Sequence, residues 1–160
     1  MPPFEIENLN SLKQWEGREF PATDWFVVTQ DRIQKFADAT EDRQWIHVDP
    51  ERAQRESPFG SSIAHGFLTL SLLSYMLKQV VHIRSGVAMS VNYGLNKVRF
   101  PSAVRAGSAV RARVTLLSAK ESPEFVDVTF LIHVESQGVD SQPSGKPCCV
   151  AEWLVRYYPQ

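Results

Sequence analysis

Positions 66–81 constrain the fold more than any other part of the chain. Phe67, Leu68, Leu70, Leu72, Leu73, Tyr75, Met76, Leu77, Val80 and Val81 fall around nearly the whole circumference of a helix. Such a helix has to be central and covered on most sides, and the sequence that follows supplies the cover. After Ser85 the apolar period changes from helical to alternating. Val110, Ala112, Val114 and Leu116 point one way while Arg111, Arg113 and Thr115 point the other, as in a strand with one wet face. Val126, Val128, Phe130, Ile132 and Val134 repeat the pattern, as do Ala151, Trp153, Val155 and Tyr157. Two shorter strands are expected near 86–93 and 95–100, and a further one around 24–28. Five strands after one buried helix make the class α+β, with an antiparallel sheet wrapped on that helix.

Two shorter helices precede the central one. Thr29 is an N-cap for a helix running to about Thr40, with Asp31 in its first turn and Ile33, Phe36 and Ala37 at helical spacing. Asp49 followed by Pro50 gives a cap and a first helical position for a helix of about two turns. The stretch 138–147 is rich in Gly, Pro and Ser and reads as a loop between strands. There is no internal repeat and no long linker, so one domain is expected over 1–160, its core at about 17–158.

At 160 residues and 43% hydrophobic content, a chain of this size buries roughly 70% of its extended surface and supports a core without staples. Seventeen Lys and Arg against eighteen Asp and Glu leave a formal charge of -1, which argues against a general polyanion binder and makes nucleic acid an unexpected partner. The charge is uneven. Residues 1–56 carry twelve acids and seven bases, whereas 78–120 holds Lys78, Arg84, Lys97, Arg99, Arg105, Arg111, Arg113 and Lys120 with no acid. These cations either meet an anionic ligand or form ordinary solvated strand faces. Cys148 and Cys149 are adjacent, which strains any bridge between them, and no further ligand stands beside them to build a zinc site. The first ten residues lack the basic and apolar regions of a secretory signal, so a cytoplasmic location is expected. Residues 57–77 contain no charged side chain, but their first half is turn-prone and the apolar part falls short of the ~20 residues of a membrane span.

Asp42 and His47 stand five apart between the first helix and the short second one. On a continuous helix they would point roughly 140° from one another, and on a strand to opposite faces, so only a turning loop lets them converge. A convergent carboxylate and imidazole hold one water and pass protons at neutral pH, as an addition or elimination of water requires. The alternative is a loop histidine that merely hydrogen-bonds backbone. Gly66 opens the buried helix, where an unpaired N–H at the positive end of the dipole donates to an oxygen that gains negative charge. Glycine there either leaves room for a substrate or merely lets the chain turn. His65 is read as shaping that turn, His133 as exposed, and Trp25 and Trp153 as core or interface.

The runs Phe36-Ala37-Asp38-Ala39-Thr40, Asp42-Arg43-Gln44-Trp45-Ile46-His47-Val48-Asp49-Pro50 and Ile63-Ala64-His65-Gly66-Phe67-Leu68 together resemble the hydratase signature of MaoC-like proteins. The most similar branch is the nodulation-protein-N-like, or type 1 (R)-specific enoyl-CoA hydratase, group, and the likeness extends from about Gly17 to Tyr157. It implies a hot-dog fold, in which an antiparallel sheet wraps a long helix, and a homodimer with the acyl tunnel near the interface. It places the catalytic aspartate on Asp42, the histidine on His47, the carbonyl-polarising amide on Gly66, and a supporting polar residue of the central helix on Ser74. The implied reaction is reversible hydration of a trans-2-enoyl-CoA to the (R)-3-hydroxyacyl-CoA, with no metal and no bound cofactor, the acyl-CoA being the substrate. Gln44 and Trp45 stand where the family more often has Asn and Pro. Two rivals share the architecture: an acyl-CoA thioesterase, and a non-catalytic protein that binds acyl groups or regulates a partner.

Overall fold

The computed structural model describes residues 2–138 and 145–160. Strand β1 (Phe4–Asn8) leads into a 3-10 helix (Leu9–Trp15), and β2 (Phe26–Val27) precedes three helices, α1 (Gln30–Thr40), α2 (Trp45–Val48) and α3 (Pro50–Glu56). The central helix follows as α4 (Gly66–Ser71) and α5 (Leu73–Val80). Then come β3 (Val81–Ser85), β4 (Val87–Arg99), β5 (Ala109–Glu121), β6 (Val126–Gln137) and β7 (Cys149–Pro159). The antiparallel sheet runs β2-β5-β6-β7-β4, while β1 pairs in parallel with β3.

Local chemistry explains the helix starts. The Thr29 hydroxyl accepts the N–H of Arg32 at 3.2 Å, and Asp49 Oδ1 accepts that of Arg52 at 3.0 Å with Pro50 in the first turn. The alternation of β5, β6 and β7 turns Val110 to Leu116, Val126 to Val134 and Ala151 to Tyr157 inward onto Leu73, Met76 and Leu77. Trp153 joins this core, whereas Trp25 lies exposed under the Arg111 guanidinium.

Three features depart from the sequence expectation. The central helix is broken at Leu72, whose N–H is shared between the carbonyls of Leu68 and Thr69. It is also covered on one side only, since Phe67, 65% exposed, and Tyr75 face outward. The two short strands expected near 86–93 and 95–100 are one strand, β4. Its register against β7 slips at Val87/Met89, Asn92/Gly94 and Leu95/Lys97, so the residues opposite the inward-facing Tyr157, Val155, Trp153 and Ala151 are Ser90, Asn92, Leu95 and Val98. Those intervals of two, three and three erase the period-two signal. The expected loop lies between β6 and β7, but its residues 139–144 fall outside the described residues.

Leu73 and Lys78 provide the check on this packing. Leu73 is buried against the sheet and Lys78 is exposed on the same helix. Leu73→Ala should cost about 2–5 kcal/mol, as large-to-small core changes do, and Lys78→Ala should stay within about 0.5 kcal/mol, both read from urea midpoints at unchanged slope.

Candidate active site

The turn that brings Asp42 to His47 is set by Glu41. It ends α1 in the left-handed region at φ 63°, redirecting the chain out of the helical path. Arg43 braces the turn by pairing with Glu41 and with Asp38 at 3.3 Å. The Asp42 side chain stays 57% exposed, while His47, on α2, is only 7% exposed. A nitrogen of His47, a nitrogen of His65 and an oxygen of Asp42 all lie within 4.8 Å of one another. The convergence that the spacing required of a turning loop is therefore present.

His47 is fixed from two directions. Its Nδ1 lies 2.6 Å from the carbonyl of Ile63 and donates to it, which leaves the Nε2 lone pair as the free one. Gln30 Nε2 donates to the His47 main-chain carbonyl at 2.7 Å, and the Ser62 hydroxyl donates to Gln30 Oε1. The Ile63 N–H donates in turn to Ile46 at 3.0 Å, so α2 and the segment before α4 are laced together. Burial pushes the His47 pKa below its ordinary value of 6.5, with His65 pulling the same way and the Ile63 carbonyl and Asp42 opposing. The ring is neutral at pH 7 and its Nε2 is a base.

His65, which the sequence suggested only as a turn residue, belongs to this cluster. Its ring stacks on that of His47, centroids 3.8 Å apart and planes 22° apart. The three side chains are, among the described residues, the group of donors close enough to share a cation. Each ring commits one nitrogen to a main-chain carbonyl, His47 Nδ1 to Ile63 at 2.6 Å and His65 Nε2 to Asp42 at 2.9 Å.

Gly66 follows His65 and opens α4, and its N–H has no acceptor among the described residues. It borders a cavity of about 340 Å³ shared with Ile63, Thr69, Phe100, Ser102 and Cys148. Neither Asp42 nor His47 lines that cavity; His65 is the link between them and the amide. The space beside the Gly66 Cα holds the Phe100 ring, which a Cβ would meet at 2.9 Å. Sequence alone gave no sign of Phe100, because residues 66 and 100 meet only through the folded sheet.

Ser74 is not brought to the cluster within one chain. It sits on α5, two helical turns from Gly66, with its hydroxyl 3.5 Å from Asn92 Oδ1. There it lines cavities between the central helix and β4. Among the described residues, three of the eight basic residues of 78–120 are paired with acids: Arg111 and Arg113 reach Glu135 at 2.8 and 2.7 Å, Arg113 also reaches Glu19 at 3.2 Å, and Arg84 lies 3.9 Å from Glu5. His82 pairs with Glu5 at 3.1 Å, and His133 is half-buried on the outer face of the sheet. Both cysteines are free and buried, their thiols pushed up to about 12 for Cys148 and about 11 for Cys149, so neither is a nucleophile at neutral pH.

The Gly66–Phe100 contact is testable by a double-mutant cycle. Gly66→Ala should cost about 1–3 kcal/mol through overpacking. In a Phe100→Ala background the same change should cost less than half as much, read from urea midpoints; equal costs in the two backgrounds would show that the ring does not restrict residue 66.

A family model described as MaoC like domain matches residues 12–136 of the chain. Over 153 residues the chain is 46% identical to the 3-hydroxyacyl-thioester dehydratase Z of Mycobacterium tuberculosis, covering 95% of this chain and 97% of that one. It is 45% identical over 140 residues to nodulation protein N of Rhizobium leguminosarum bv. viciae, covering 87% and 84% of the two chains. Among solved structures, the unliganded R-hydratase from Pseudomonas aeruginosa superposes with a TM-score of 0.68 at 19% identity, over 96% of this chain and 86% of that one. The sheet wrapped on one central helix and the sequence match lead to the same place: the chain belongs to the MaoC-like dehydratase domain family and has its hot-dog fold.

Proposed function

We propose that the protein is a hydro-lyase that reversibly hydrates trans-2-enoyl-CoA to (R)-3-hydroxyacyl-CoA. The observation that carries this is the convergence of His47, its Nδ1–H committed to the Ile63 carbonyl, with the Asp42 carboxylate, a ring nitrogen of the one and an oxygen of the other lying within 4.8 Å. Such a pair orients a water by accepting both of its protons. As the water oxygen bonds to C3, His47 Nε2 takes a proton and the double-bond electrons move toward the thioester oxygen. Gly66 N–H stabilises the enolate-like oxygen, and the pair returns a proton to C2 on the same face. One water has been added and both side chains regain their starting states. No metal or bound cofactor enters these steps.

General acid–base groups contribute about 10²–10⁴-fold, so Asp42→Asn and His47→Ala should each lower kcat by at least about a hundredfold while leaving the circular dichroism spectrum unchanged. Loss of enoyl absorbance with crotonyl-CoA, followed by chiral analysis of the product, measures it. An Asp42→Asn enzyme near full activity would remove the mechanism. A thiol reagent separates the thioesterase reading, since hydration releases no free CoA. The similarity to a protein named a 3-hydroxyacyl-thioester dehydratase supports the hydratase reading.

We further infer that the working unit is a homodimer joined along β4. One edge of β4 pairs with β7, and the other has no strand partner among the described residues. Met89, Val91, Tyr93 and Leu95 are exposed along it. An unpartnered apolar strand edge is a hazard unless a copy covers it. No helix among the described residues is long and apolar enough to cross a membrane, and two reduced cysteines accord with a cytoplasmic enzyme. Sedimentation at micromolar concentration should give a dimer, and the pair Met89→Lys with Leu95→Lys should shift it to monomer; a stable wild-type monomer would overturn the assembly.

A further inference from the structure

We propose that His65 is a positioning residue: a latch that holds Asp42 in the site through its main chain and clamps the plane of the His47 ring. This deepens the hydration reading and rests on it for its kinetic consequences. The His65 side chain is 4% exposed, between Phe36 at 4.9 Å on one side and His47 at 3.8 Å on the other. Its Nε2–H donates to the Asp42 main-chain carbonyl at 2.9 Å, and the same nitrogen is 4.0 Å from Asp42 Oδ2. Among the described residues no hydrogen bond fixes the Asp42 carboxylate itself. Its approach to His47 therefore depends on the backbone of the loop, held at the left-handed Glu41 and at the His65 bond.

The second observation is a polar atom that packing alone leaves unexplained. With Nε2 donating, Nδ1 of His65 carries a lone pair, and that atom is fully buried with no partner. A position needed only for bulk between Phe36 and His47 is better filled by an apolar ring, which strands nothing. What the imidazole supplies and an apolar side chain does not is the donor to Asp42. The stack also limits rotation of the His47 ring about its bond to Ile63. The titratable groups facing His47 are Asp42 and His65; α1 offers it only the neutral Gln30.

The test compares His65→Gln with His65→Met in the full chain. The two side chains have similar length and volume, both abolish the stack, and only glutamine retains an N–H donor. Under the latch, His65→Met should lower kcat for enoyl-CoA hydration by about ten- to a hundredfold, within the range of a misplaced acid–base group. KM should change less than about threefold, since the Gly66 amide is untouched, and His65→Gln should recover at least about tenfold of the loss. Equal kcat in two folded variants would overturn the proposal, as would a loss carried entirely by KM.

A readout independent of turnover uses imidazole ¹⁵N NMR. The neutral wild-type protein should show His47 as the Nδ1–H tautomer and His65 as the Nε2–H tautomer, and the Asp42 carbonyl ¹³C resonance should move in His65→Met but return toward wild type in His65→Gln. If the wild type hydrates no enoyl-CoA, the mechanism above fails while the NMR arm still decides the latch. If His65→Met does not fold, the wild-type tautomers and the Asp42 resonance of His65→Gln decide it: a wild-type Nδ1–H tautomer for His65 overturns the proposal.

Discussion

A single short hydrogen bond, from His47 Nδ1 to the carbonyl of Ile63, joins the two halves of the site. On one side stands the helical segment that carries the imidazole; on the other, the extended segment that delivers His65 and Gly66 to the head of the central helix. Without that bond the tautomer of His47 is undefined and the two segments keep only the main-chain bond from Ile63 N–H to Ile46 between them. The supporting contacts all serve it: the Ile63 N–H to Ile46, Gln30 to the His47 carbonyl, and Ser62 to Gln30. Because the bond is buried, exchanging its acceptor for water is not an option, and removing the imidazole would strand a carbonyl.

Beneath this site lies an ordinary division of labour between sheet and helix. The inward stripes of β5, β6 and β7 bury Leu73, Met76 and Leu77, and the helix then offers its first amide at the rim rather than inside the core. The outer face of the same strands is held by ion pairs and rings. Arg156 chelates Asp127 with two bonds of 2.7 Å while its guanidinium rests between Tyr93 and Phe125. Arg111 and Arg113 share Glu135, whose carboxyl they hold below the usual range against the opposing pull of burial. Part of the basic run seen in the sequence, Arg84, Arg111 and Arg113, is therefore paired with acids that are remote along the chain.

What was legible in the sequence was what depends on near neighbours. The caps at Thr29 and Asp49, the alternation of β5 to β7, and the need for a turn between Asp42 and His47 are each set by side chains within a few positions. What escaped depends on partners supplied by the fold. The parallel pairing of β1 with β3 joins residues some 77 positions apart, Phe4 opposite Val81, and neither strand is long enough to declare itself. His65 looked like a turn residue because its neighbours Phe36, Asp42 and His47 come from two other elements. Ser74 meets Asn92, eighteen positions away on β4, another partner that only the fold supplies.

The three slips of register in β4 bend this edge of the sheet locally. Thirteen residues of β4 lie against the eleven-residue β7, so the outermost strand carries more chain than the partner it follows. Two bonded ribbons of unequal length cannot stay flat: like the two metals of a thermostat strip, they bend toward the shorter one. Beside this bent edge, between it and the central helix, lies a gutter lined by Ser90, Asn92 and Leu95 rather than a sealed core.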